Sequence, residues 1–302
     1  MTELLTIRDF LRFALSEFAR YPIELGHGND SLWDEALALV FGALALPPDG
    51  DERLLDARLT SDERQLLLGL IDQRVHYRIP VPYLTKKAWY AGLPFIIDER
   101  VLIPRSPIFE LIQVDFIPWF EAPVGRPLRF LDLCTGSGCL GITTALSFEE
   151  STGILVDLDD GACAVARANV AFHQLGHRLE VIQSDGFDGL LDVVFDIILC
   201  NPPYVDSEDM ANLPPEYQKE PELALRSGAD GLELVRRLLS QATDWLSDEG
   251  IMILEVGNTW GLLDREVTGR TGKPIQWLDF EHGGHGICVL SKDELNTLYS
   301  NF

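Results

Sequence analysis

The sequence predicts an α/β protein, a doubly wound and mainly parallel sheet preceded by a small helical domain. Three observations carry this. From residue 128 onward, short apolar runs alternate with stretches of helical length, the pattern of parallel strands joined by crossover helices. Residues 1–79 show helical periodicity and no strand pattern. The apolar run Val193 to Cys200 stops abruptly at Asn201-Pro202-Pro203-Tyr204. Two prolines lack N–H groups and fix φ, so strand pairing ends at Cys200. This rigid polar turn therefore stands at the carboxyl end of a strand, where open α/β sheets place their ligands.

At 302 residues the chain can bury a sizeable core and most simply forms two domains. It carries 24 Lys+Arg against 48 Asp+Glu, a net charge of −24. Such a surface repels phosphate backbones, which argues against direct nucleic-acid binding and suits a basic protein partner. The cysteines, at 134, 139, 163, 200 and 288, form no C-x-x-C pair and no disulfide-like framework. Arg8, Asp9 and Arg12 interrupt any signal-peptide core, and no stretch has the length and purity of a membrane span. A reduced, cytoplasmic setting is expected.

In the N-terminal part, Ile7, Phe10, Leu11, Ala14, Leu15 and Phe18 fall on one helix face. Asp30 or Ser31 caps a second helix carrying Leu32, Ala36, Leu39 and Val40. Pro47-Pro48-Asp49-Gly50-Asp51 is a loop. A third helix opens at Thr60 or Ser61 with Glu63 as capping-box partner, and runs through Leu66, Leu67, Leu70, Ile71 and Val75. Residues 1–79 thus read as a helical domain of the substrate-recognition or packing kind. Residues 80–107 read as a β-hairpin and interdomain linker. Trp89 to Ile97 gives two short strands about a Gly-containing turn, and Arg105 stands between prolines in a stiff segment. A helix follows from Ile108. Strands are expected near 128–133, 153–157, 179–183, 193–200 and 251–256, with helices near 139–148, 160–173, 230–247 and 258–268. At 275–291 the rhythm breaks into a hairpin about Gly283-Gly284, adding an antiparallel strand to the sheet edge.

The chemistry-bearing residues cluster at strand ends. The first strand of the sheet runs into Cys134-Thr135-Gly136-Ser137-Gly138-Cys139, whose glycines permit a close backbone approach to a ligand. With Gly141 it formally matches G-x-G-x-x-G, which fits NAD as well as S-adenosylmethionine. Asp157, about 20 residues on, is a ribose ligand for either. Asp159 and Asp160 cap the helix that begins near Gly161. Asp185 is either an acceptor for an adenine amino group or a turn acid. No hydride-transfer partner is evident, whereas the Asn201 turn offers two carbonyls, those of the Asn201 side chain and the Pro202 backbone. Together they can hold both hydrogens of an NH2 group, with Tyr204 as a flat face for a planar substrate or a sulfonium. An adenosyl ligand beside an NH2 clamp describes methyl transfer to nitrogen.

On these residues, 128–291 resembles a class I S-adenosylmethionine-dependent methyltransferase of the Asn-Pro-Pro-Tyr type. The helical start, Val101 to Ile108, and Glu220 to Leu225 followed by Ser227 to Leu232 make nearly the whole chain similar to the HemK-like protein glutamine methyltransferases. Pro104-Arg105-Ser106-Pro107 and Val205 to Met210 resemble the branch acting on the large-subunit ribosomal protein uL3, rather than the release-factor branch. The resemblance implies a seven-stranded sheet in a catalytic domain spanning 108–302. It implies S-adenosyl-L-methionine bound by Asp132, Thr135, Gly136, Ser137, Gly138, Cys139, Asp157, Asp185 and Asn201. Phe187 is expected to pack on the adenine, since Gly186 stands where relatives carry an aromatic. The target glutamine is expected on Asn201, Pro202, Pro203 and Tyr204 with Arg105 nearby, Asn201, Pro202 and Tyr204 being catalytic. His282 and His285 lack a third metal partner nearby, so no metal is expected. The acidic stretch 206–222 is either a solvated loop or a dock for a basic protein. The rival readings are a release-factor glutamine methyltransferase, a DNA or RNA amino-methyltransferase, which should show a basic stripe, and a non-catalytic cofactor-binding protein.

Overall fold

The computed structural model describes residues 3–47, 50–191, 193–281 and 283–299. Three helices, Ile7–Arg20, Leu32–Ala43 and Ser61–His76, open the chain. The second and third start at the expected caps, and the first is capped by Thr6, which is not among them. Thr6 and Thr60 each form a capping box, with Asp9 and Glu63 respectively, and Ser31 accepts the Asp34 N–H. Phe10, Phe18, Leu39, Val40, Leu67 and Ile71 meet in one apolar cluster that ends, along the sequence, at Val81.

A short helix, Val81–Thr85, precedes the antiparallel pair β1 (Lys87–Tyr90) and β2 (Leu93–Ile96). The turn between them is Ala91-Gly92, both at positive φ, as a two-residue hairpin requires. Ala88, Phe95, Ile97, Val101 and Ile103 are buried in the cluster that covers one face of the main sheet. By packing, the stretch from 83 to 107 therefore belongs with the sheet.

The main sheet has six strands among the described residues: β3 (Arg129–Leu133), β4 (Thr152–Asp157), β5 (Leu179–Gln183), β6 (Phe195–Cys200), β7 (Leu246–Glu255) and β8 (Ile287–Ser291). Their order is β5-β4-β3-β6-β7-β8, all pairs parallel except β7 with β8. Alternate side chains of each strand go to opposite faces. Phe130, Ile197, Leu199, Ile251 and Ile253 enter one cluster, while Leu131, Leu133, Ile198, Cys200, Met252 and Leu254 enter the other.

The seventh strand is reduced. The outgoing arm of the expected C-terminal hairpin contributes a single bridge, Trp277 with Cys288, and the Leu278 N–H bonded to the Ile287 carbonyl. Ile275 N–H and the Trp277 indole instead both donate to Asp264, so side-chain capping takes the place of a ladder. The return arm is β8. No helix among the described residues is long and apolar enough to cross a membrane.

Strand order reverses between β3 and β6, and both end at the same edge, Leu133 pairing with Cys200. The Gly-rich loop and the Asn201 turn thus leave adjacent strand ends. This is where a doubly wound sheet opens a crevice.

Candidate active site

That crevice holds a cavity of about 380 Å³. Cys134 and Gly136 line it from the loop after β3, Asp157, Leu158 and Asp159 from the end of β4, and Ser184, Asp185 and Gly186 from the end of β5. Asn201 and Pro203 reach it from the turn after β6. Residues 100–102, Pro221, Leu223, Ala224, Leu234, Arg237 and Leu238 close it.

The loop's shape comes from the residues behind it. Gly136 and Gly138 have φ of +54° and +82°, which L side chains rarely adopt. Gly138 is the N-cap of the helix Cys139–Ser147. A Cβ on Gly141 would come within 2.8 Å of Leu155, so the third glycine permits close packing of helix on strand. Asp132 lies beneath the loop, fully buried, and accepts the Thr135 hydroxyl at 2.5 Å and the Gly141 N–H at 2.9 Å. Burial raises its carboxyl to about 7. Asp132, Thr135, Ser137, Gly138 and Cys139 build the loop and are not cavity walls. Burial pushes the half-buried Cys139 thiol up to about 12.

Asp157 stands at the cavity wall. Its carboxylate accepts the Gly136 N–H at 2.8 Å and the Asp159 N–H at 3.0 Å, and burial raises its pKa. Asp159 caps the next helix through the Ala162 N–H at 2.8 Å. Asp185 lines the cavity but is engaged by the Arg237 guanidinium. Phe187 is not a wall. It lies buried, stacked on Trp245 at 5.5 Å and 10°, in the apolar cluster beneath the helix Glu233–Trp245. Leu158 and Leu238 supply apolar surface in its stead.

The Asn201 side chain makes no hydrogen bond to the protein among the described residues, and it opens on the cavity. Pro202 is buried. Tyr204 is turned off the cavity wall. Its ring rests on Gly257, where a Cβ would lie 2.4 Å from a ring carbon, and its hydroxyl donates to Glu255 at 3.3 Å. Burial and the Glu255 carboxylate raise the phenol's pKa. Glu255 itself is buried and raised by desolvation. Nothing in the local pattern of β7 singled it out.

Arg105 does not point freely at a substrate. Both its arms grip Glu220, at 2.6 and 2.9 Å, and the guanidinium lies 5.2 Å from the Tyr217 ring. Burial would lower its pKa, but the Glu220 carboxylate outweighs this and raises it. Glu220 also accepts the Ile103 N–H at 3.0 Å, and His27 Nε2 is 3.8 Å away. Burial opposes its ionisation, yet His27 and Arg105 hold the carboxyl down at about 2. The acidic stretch is thus neither wholly solvated nor wholly available to a partner. Glu216 and Glu220 are buried in ion pairs within the protein, while Glu208, Asp209 and Glu222 remain exposed. His282 lies outside the described residues, and His285 is within 2.7 Å of the Asn258 amide oxygen.

Residues 120–216 match the Methyltransferase small domain family. Among solved structures, the hMettl16 catalytic domain in complex with MAT2A 3'UTR hairpin 6 superposes with a TM-score of 0.51 at 17% identity, over 78% of this chain and 85% of that one, which shows the fold. Two sequence relatives are much nearer. The ribosomal protein uL3 glutamine methyltransferase of Francisella tularensis is 44% identical over 98% of this chain and 93% of its own length. That of Bordetella pertussis is 44% identical over 98% of both chains. A match of this depth over both the helical part and the sheet means that the chain belongs to the family of ribosomal protein uL3 glutamine methyltransferases.

Proposed function

We propose that the protein transfers the methyl group of S-adenosyl-L-methionine to the side-chain amide nitrogen of a glutamine in ribosomal protein uL3. The observation that carries the reaction type is Asn201. It is a half-buried amide with no protein partner among the described residues, at a strand end, on the wall of a cavity large enough for a nucleoside. With no protein partner, its carbonyl and NH2 are free to bond a ligand that enters the cavity.

The residues present fit the cofactor. Gly136 turns its Cα to open space, with nothing within 4 Å of where a Cβ would stand. Asp157 presents carboxylate lone pairs for ribose hydroxyls, and Leu158 and Leu238 offer apolar walls for a base. When bound, the cofactor supplies a methyl group on a positively charged sulfur.

A carboxamide nitrogen is a poor nucleophile because its lone pair is delocalised into the carbonyl. The Asn201 side-chain carbonyl and the Pro202 backbone carbonyl accept its two N–H groups and hold it against the cavity. Pro202 and Pro203 fix the directions of these acceptors. Placement is the main contribution, and well-oriented reactants gain on the order of 7–11 kcal/mol. No side-chain base is needed, because the nitrogen sheds its proton after methylation.

Residues 1–79 act as the substrate-recognition module. A net charge of −24 and the exposed Glu208, Asp209 and Glu222 near the site suit a basic ribosomal protein, taken free in the cytoplasm before ribosomal RNA covers it, and give no purchase to nucleic acid. The test offers labelled S-adenosylmethionine with free uL3, a release factor and RNA in separate reactions. Label on a glutamine of uL3 is expected. Label on the release factor alone would move the substrate to that branch, and label on RNA alone would overturn glutamine as the acceptor.

A further inference from the structure

Glu255 ends β7 at the catalytic edge and is buried, yet the reaction outlined above gives it no task. A carboxylate in such a place is tolerated when both oxygens are used. Here each has its own partner. The Tyr204 hydroxyl donates to Oε1 at 3.3 Å, and the Ser106 hydroxyl donates to Oε2 at 2.5 Å. Ser106 is itself fixed. Its Oγ accepts the Ile108 N–H at 3.2 Å, and its carbonyl accepts the Tyr90 hydroxyl at 2.8 Å. One buried carboxylate thus joins the turn after β6, the end of β7 and the segment that links the helical domain to the sheet.

The other faces of Tyr204 are walled by backbone. A Cβ on Gly257 would sit 2.4 Å from its ring, and one on Gly231 would sit 2.3 Å from its carbonyl oxygen. The ring therefore has its face and main chain set by contact, and the direction of its tip set by Glu255.

We propose that Glu255 is a positioning residue for methyl transfer, holding Tyr204 and the Ser106 segment on separate oxygens so that the Asn201–Tyr204 turn keeps one geometry around the acceptor amide. This rests on the reading of that turn as the amide-holding element. The carboxylate form matters because it alone accepts on both oxygens at once. Once protonated, one oxygen becomes a donor and the three-way junction loosens. Arg105 faces Glu255 from the linker, Tyr90 from β1, Cys200 from β6 and Tyr204 from the turn. Burial moves the Glu255 carboxyl above its usual range.

The test measures methyl transfer to free uL3 at saturating cofactor by the wild type, E255Q, Y204F, the double variant, S106A and S106T. E255Q and Y204F are each expected to lower kcat about tenfold, the size of one lost hydrogen bond to a charged group. The KM for the cofactor should stay within about twofold. The double variant should be no slower than either single one, since both remove the same link. S106A should also slow transfer and S106T should restore it. On acidification the wild-type kcat should fall more steeply than that of E255Q, so that the ratio of the two narrows, because Asp132 and Asp157 titrate alike in both proteins. An active wild type with an equally active E255Q, or E255Q and Y204F losses that multiply, would overturn the proposal alone. A wild type that methylates no glutamine would overturn the reading beneath it. Should E255Q fail to fold, S106A at the wild-type rate would overturn it instead.

Discussion

Arg74 and Glu216 stand 142 positions apart in the chain and 2.9 Å apart in the fold. Arg74, only 1% exposed, also donates to Glu35 at 2.5 Å and to the Glu24 carbonyl at 2.7 Å. Glu216 in turn accepts from Arg78 at 2.9 Å and from the Glu24 N–H at 3.0 Å. The third N-terminal helix thereby holds the segment that runs on to Pro221, Leu223 and Ala224, three walls of the cavity. Glu216→Ala removes one of the two carboxylates on the buried Arg74 and leaves Arg78, among the described residues, only the Pro22 carbonyl. It is expected to cost about 3 kcal/mol of stability, the low end for breaking a buried pair. An unchanged urea midpoint would show that the two parts are not coupled through this pair.

Acid should weaken the linker. Glu220 is held at about 2, below the ordinary carboxyl value of 4.5. A depressed value means that its contribution is complete above the unfolded-state pKa and is lost as pH falls from about 4.5 to about 2. That contribution is on the order of 3 kcal/mol. Glu220→Gln should be less stable than the wild type at pH 7 and should show a shallower loss between pH 4.5 and 2. Parallel stability–pH curves for the two proteins would refute the pairing with Arg105 as its source.

Asn201→Ala should leave the fold intact and lower methyl transfer by about 10²–10³, the usual loss when one preorganised hydrogen-bonding group is removed from a reacting centre. The readout is label incorporated per enzyme, with unfolding followed in the same samples. Transfer within a few-fold of the wild type would remove Asn201 from the acceptor site.

Gly257→Ala places a methyl group 2.4 Å from the Tyr204 ring at a φ of +46°. The ring must move and the backbone is strained, together about 1–3 kcal/mol. Slower transfer is expected with cofactor affinity unchanged, because Tyr204 is not a wall of the cavity. Calorimetric titration separates the two effects.

Asp157→Ala removes the acceptor of the Gly136 N–H and the carboxylate at the cavity wall. Cofactor affinity should fall at least about tenfold, since a charge-assisted hydrogen bond is worth about 1.5–3 kcal/mol. Equal dissociation constants in the two proteins would place the ribose elsewhere.

Much of this could be read from local pattern. Ser31 and Thr60 cap helices where the sequence says they should, Thr60 with Glu63 as its capping-box partner, because capping is settled within four residues. The five parallel strands lie within a few residues of their apolar runs, apart from β7, which begins earlier, at Leu246. Asn201, Asp157 and Gly136 reach one cavity because strand ends are fixed by the order of the sheet.

What failed to show was of another kind. Phe187 reads as a ring beside the cofactor, but the helix Glu233–Trp245 offers it Trp245 to stack on, and burial won. Arg105 reads as a substrate contact held out by a stiff linker, yet its partner is Glu220, 115 residues on. The stretch 206–222 reads as uniformly acidic, and only the approach of Arg74, Arg78 and Arg105 separates the buried Glu216 and Glu220 from their solvated neighbours.

By itself, then, the sequence determined the helix starts, the strand alternation, the Gly-rich loop and the proline-stiffened Asn201 turn, since each depends on backbone chemistry within a few residues. Only the tertiary structure decided which carboxylates are spent on holding the molecule together and which face a ligand. Glu216, Glu220 and Glu255 became structural through partners far away in sequence, and an isolated charge cannot be buried until such partners arrive.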